Sequence, residues 1–128
     1  MIEEYAIFAG YTLVYVLEAF VLLFIARWAY TGVYHRFNLG DQLFKENNPA
    51  VAIAFSGYLM GIILALGGVV GGPSGGWMAS IVSIGLYGLV SIVLMIAAAF
   101  LCDKVLLGAF DNTKEIAVDR NSGAAFVE

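Results

Sequence analysis

Residues 77–102 read WMASIVSIGLYGLVSIVLMIAAAFLC, from Trp77 to Cys102 without one charged side chain. Wound as a helix at 1.5 Å per residue, such a run spans more than the roughly 30 Å of a bilayer's hydrocarbon layer. A helix packed on a soluble core keeps one polar face for water, and this run has none. Upstream, Pro49 to Gly72 is also uncharged, and Tyr5 to Ala26 carries only Glu18. The expectation is an all-α integral membrane fold in a single domain, 1–128, with spans at about 5–27, 49–71 and 77–102. A connection at 28–48 and an outer turn at 72–76 join them, and residues 103–128 form a cytoplasmic tail or begin a further helix.

Composition agrees. Hydrophobic residues make up 62% of the chain and charged ones 12%, whereas a soluble domain carries about 25% charged residues. A cleaved signal peptide would start basic and close on small residues. The chain opens Met1-Ile2-Glu3-Glu4, and its first apolar run ends at Arg27-Trp28, so that run is read as a span. One cysteine, Cys102, and one histidine, His35, supply neither an internal disulfide nor the usual ligand count of a metal site. No metal and no cofactor is expected.

The basic residues fall in two groups: Arg27, Arg36 and Lys45 after the first span, and Lys104, Lys114 and Arg120 after the third. By the positive-inside rule both groups face the cytoplasm and the N-terminus lies outside. The outer connection Gly71-Gly72-Pro73-Ser74-Gly75-Gly76 suits a tight reversal, which makes the second and third spans an antiparallel hairpin. On the inner side, Asp41-Gln42-Leu43-Phe44-Lys45-Glu46 reads either as a short interfacial helix or as a plain polar linker. Asn48 before Pro49 is a helix start, with an N-cap side chain and a proline in the first turn.

That start has an echo. Asn48-Pro49-Ala50-Val51-Ala52 is matched by Asn121-Ser122-Gly123-Ala124-Ala125, and each follows a charged segment. The stretch from Lys45 through Asn48, Pro49, Ala50 and Ala52, continuing to Ser56-Gly57 and Gly61, resembles the signature of the DUF350 family of small bacterial inner-membrane proteins. Asp119 to Ala125 resembles its second, partial copy, with Asn121, Gly123, Ala124 and Ala125 in the matching places. The resemblance implies four transmembrane helices in two similar pairs, of which this sequence shows three. It implies no enzymatic activity and no catalytic residues. It also implies partners in membrane-stress or membrane-remodelling machinery.

Glu18 is the one ionisable side chain inside a span, so it is expected to face protein or a wet cavity rather than lipid. Tyr11, Tyr15 and Glu18 share a helical face. Counting depth from Arg27, from Pro49 and from Trp77 puts Ser56, Tyr58, Tyr87 and Ser91 near its level, a candidate intramembrane polar site. Ser80, Ser83, Tyr87 and Ser91 also read as a helix-packing seam. Gly57 with Gly61, and Gly85 with Gly88, thin the second and third spans for close helix approach.

Two functions from different classes follow. The first is a non-enzymatic membrane subunit, packed into a homo-oligomer or into a larger complex with other membrane subunits, with membrane lipids around it and Glu18 as a neutral latch. The second is an oligomeric ion or proton channel or transporter using Glu18, although no selectivity-filter motif or broken helix is visible. An intramembrane enzyme lacks a nucleophile–base constellation. Nucleic-acid binding is disfavoured by a net charge of −4 without a basic cluster. Asp111, Glu115 and Asp119, alternating with Lys114 and Arg120, read as a solvated segment or a docking site for a cytoplasmic partner.

Overall fold

The computed structural model describes residues 2–72, 75–109 and 111–127, and the described residues form helices without strands. Three are long and apolar enough to cross a membrane: α1 (Ile2–Val33), α3 (Pro49–Val70) and α4 (Trp77–Leu101), the last continuing through a π-helical turn at Cys102–Leu106. Three short ones, α2 (Leu39–Phe44), α5 (Asn112–Ala117) and α6 (Ser122–Val127), sit at the shared polar end.

The starts follow from side-chain capping. Asn38 opens α2 by accepting from the N–H groups of Gly40 and Asp41. Asp111 opens α5 by accepting from Lys114 N–H. Pro49 stands in the first turn of α3, where its missing N–H costs nothing. Gly76, at φ 108°, lets the chain turn into α4 through a conformation that a side chain would strain. The stretch 41–46, open at the sequence level between helix and linker, contains the end of α2. Lys45 Nζ lies 2.7 Å from Asp41 there, and this hydrogen bond holds the ammonium above its usual pKa.

α3 is the central element, packed on α4 and α6 and touching α1, α2 and α5. Gly61 faces Met95 while Leu66 meets Gly88, so α3 and α4 run in opposite directions along their contact. α1 lies against α4. Much of the core sits toward the polar end, where Ala26, Ala50 and Val51 are fully buried and Leu39 and Ile116 nearly so. Tyr30 packs there at a tilt against Tyr34, Phe55 and Tyr58, with ring centroids 4.6, 5.2 and 5.1 Å away.

Asn48 is the node of that end. It is 1% exposed. Its Oδ1 accepts from Ala50 N–H at 3.0 Å and Val51 N–H at 3.4 Å. Its Nδ2 donates to Gln42 Oε1 at 2.7 Å, Ile116 O at 3.0 Å and Ala117 O at 3.2 Å. One amide thus caps α3, pins α2 and, with its two N–H groups spread over three acceptors, also reaches two carbonyls at the end of α5.

The echo in the sequence is a structural repeat. Asn121 Oδ1 accepts from Gly123 and Ala124 N–H, and its Nδ2 donates to Glu115. The residue before each asparagine has positive φ, Asn47 at 49° and Arg120 at 55°. Asn48 N–H donates to Gln42 O, and Asn121 N–H to Glu115 O, both at 2.9 Å. The copies are not equal, because Asn48 is buried and Asn121 exposed.

Asn48→Ala removes a cap and leaves a buried glutamine oxygen and two carbonyls short of donors, and should cost about 3 kcal/mol. Asn121→Ala should cost about 1 kcal/mol, the usual size of an exposed cap. Thermal unfolding of both variants in one detergent checks the ranking, and equal losses would contradict it.

Candidate functional site

The seam between α1 and α4 carries the intramembrane acid. Tyr11 stacks on Trp77, with centroids 5.6 Å apart and planes 12° from parallel. Two turns further along α1, Glu18 reaches Gly85, where a Cβ would stand 3.1 Å from Glu18 Oε1. Glu18 Oε2 is buried and has no hydrogen-bond partner among the described residues. One turn further, Leu22 enters the notch at Gly88, which Leu66 of α3 also fills.

The glycines therefore have separate roles. A methyl group on Gly88 would come within 2.5 Å of Leu22 Cδ1 and 3.1 Å of Leu66 Cδ2, and one on Gly61 within 2.6 Å of Met95 Cε. Gly57 meets nothing within 4 Å. It lines, with Ser56, an open groove of about 650 Å³ against α4 and α6.

Some of the expected polar layer is gathered and some is not. Tyr11 and Tyr15, with Ser80 and Ser83, line an open cleft of about 860 Å³ among α1, α3 and α4. Tyr58 lies elsewhere: its hydroxyl donates to Ala26 O at 3.1 Å, about 12 Å along α1 from Glu18. Tyr87 is 54% exposed. Ser91 Oγ donates back to Tyr87 O at 2.7 Å, a local bond of its own helix. For Ser56 and Tyr58 the reason is axial offset. Depth counting set Arg27 level with Pro49, but α1 runs on to Val33 and Tyr30 packs on Phe55 and Tyr58. Glu18 is consequently level with the far half of α3, near Leu66, rather than with Ser56 or Tyr58.

Two contributors were missed in the sequence. Gln42 is buried and completes the Asn48 amide, and aligning the two asparagines would have flagged it, since Gln42 and Glu115 occupy equivalent places. Leu22 fits the glycine notch of α4, and no sequence signal separates it from the other leucines. Among the described residues no group of three His, Cys, Asp or Glu could hold a metal ion.

An all-helical chain with three membrane-length apolar helices, glycine-notched seams and one acid inside a span is the class defined by this fold. Residues 4–128 match the family described as Domain of Unknown Function (DUF350), and the chain belongs to that family. Among curated proteins and among solved structures nothing matches the chain.

Gly88→Ala should overpack the seam and cost about 1–3 kcal/mol, whereas Gly57→Ala should leave stability within about 0.5 kcal/mol. Melting temperatures of the two variants in detergent test the contrast, and a Gly57→Ala loss matching that of Gly88→Ala would remove the distinction.

Proposed function

We propose that the chain is a non-enzymatic subunit of a membrane assembly, either a homo-oligomer or an accessory partner of larger subunits, in the bacterial inner membrane. In this reading α3 and α4 are a tight hairpin, the N-terminus is outside, and α2, α5 and α6 lie in the cytoplasm. Supporting the orientation, the two basic segments meet at one end through Arg36 with Asp111, 3.6 Å apart, and Arg120 with Glu46, 3.3 Å apart.

The observation that carries the reading is the narrowness of the buried strip on α1. Only Leu22, Ala26 and Tyr30 are buried in a helix running from Ile2 to Val33, yet that helix carries Glu18. An acid inside a span is costly unless protein shields it; the chain itself buries Oε2 yet leaves Glu18 only half-buried, and a second subunit over α1 completes the cover. Glu18 then serves as a neutral, hydrogen-bonding latch. The tail bearing Asp111, Glu115 and Asp119 is the place for a cytoplasmic partner.

A second reading, an ion or proton pathway through several copies, draws on the unpaired Oε2 of Glu18. Native mass spectrometry of the assembly in nanodiscs separates the two. The subunit reading expects multiples of the 13.7 kDa chain or larger co-purifying proteins, unchanged by Glu18→Gln. A monodisperse monomer would sink it. Ion flux in proteoliposomes that is abolished by Glu18→Gln while the assembly stays intact would favour the pathway.

A further inference from the structure

At the polar end, where α1 and α4 finish, an open pocket of about 470 Å³ lies between Arg36, the π turn and the start of α5. Its size falls in the ordinary range of ligand sites, roughly 300–1,000 Å³. One wall is apolar: Val33 on α1, with Ile96 and Phe100 on α4. The other is charged, with Arg36 and Lys104 facing it beside Asp103 and Asp111. On α4 and its continuation, Ile96, Phe100, Asp103 and Lys104 follow at spacings of four, three and one, so one helix face passes from apolar to ionic within two turns. The π turn closes just beyond, with Leu107 N–H donating to Cys102 O at 2.8 Å, and such turns are frequent at functional sites.

The carboxylates are held in place. Asp103 accepts from the buried Asn112 Nδ2 at 2.9 Å, and Asp111 caps α5 while lying 3.6 Å from Arg36. Lys104 has no ion pair among those described, which leaves its ammonium available to a ligand. Two cations and two carboxylates make the charged wall neutral overall yet strongly polar.

We propose that this pocket binds the headgroup of phosphatidylethanolamine, with the phosphate on Lys104 and Arg36 and the primary ammonium on Asp103 or Asp111. A zwitterion matches the paired charges, whereas a purely anionic headgroup would meet the two carboxylates without compensation. The ammonium donates charge-assisted hydrogen bonds to carboxylates, which a trimethylated choline cannot do. The apolar wall continues the lipid-facing surface of α1 and α4, so the acyl chains lie along Val33 and Phe100, and a lipid rather than a free phosphoester is the occupant.

The test uses the full chain, delipidated in mild detergent and offered acyl-matched phosphatidylethanolamine, phosphatidylcholine or phosphatidylglycerol, with retained lipid counted by native mass spectrometry. Phosphatidylethanolamine should be retained about fivefold or more over the other two, the size of one lost charge-assisted contact. Lys104→Gln should lower its retention by a similar factor, while Lys45→Gln, paired with Asp41 away from the pocket, should not. Equal retention of the choline lipid, preference for phosphatidylglycerol, or indifference to Lys104→Gln would overturn the assignment. So would displacement by soluble glycerophosphoethanolamine at equal concentration, which would show that the acyl chains add nothing. Should Lys104→Gln fail to fold, the three-lipid series on the unaltered chain decides.

Discussion

The buried amide of Asn48 is the constraint on which the arrangement depends. Apolar helices gain nothing from water exclusion once they are in lipid, so contacts among them come from packing and hydrogen bonds. The polar end lies beyond the apolar spans, and an unsatisfied amide buried there costs about 1–3 kcal/mol. Asn48 avoids that cost only if α2 brings Gln42 and α5 brings the Ile116 and Ala117 carbonyls to it. Two elements, α2 and α5, are thereby set around the foot of α3. With the foot fixed, the rise of α3 sets which of its residues meet α4, and Gly61 on Met95 and Leu66 at Gly88 follow.

Above that end the packing opens. A cleft of about 860 Å³ among α1, α3 and α4 is lined by Tyr11, Tyr15, Ser80 and Ser83, and Glu18 sits at the notch of Gly85. A bulky residue at position 85 would push the carboxylate out of the seam, so the small residue and the acid belong together. Oε2 is buried in that seam without a partner among the described residues, a polar cost that the close approach of α1 and α4 imposes.

The three spans were legible because uncharged runs of bilayer length have few other interpretations, and the start of α3 was legible because Asn48-Pro49 satisfies cap chemistry locally. The Asn121 copy was visible as five matched residues. Its full extent, from Asn38 and Asp111 through the positive-φ residues, was hidden because capping conserves geometry rather than residue type. The level of Glu18 was not legible. It depends on how far α1 continues past its apolar run, and a helix does not stop where the lipid does: Trp28, 79% exposed, lies within it. Depth counted from Arg27 was therefore displaced by more than a helical turn, which separated Tyr58 from the acid.

The Asn48 bonds to Ile116 and Ala117 join residues 68 and 69 positions apart. A ribosome making this chain has long released α3 before those carbonyls exist. During that interval the asparagine can cap α3 and hold Gln42, but its other contacts must be served by water. Insertion of the early helices and locking of their polar end are thus separate events in time. The seal forms only when α5 arrives, so a chain interrupted before Ile116 carries a permanently open node, a local mark by which an unfinished product differs from a finished one.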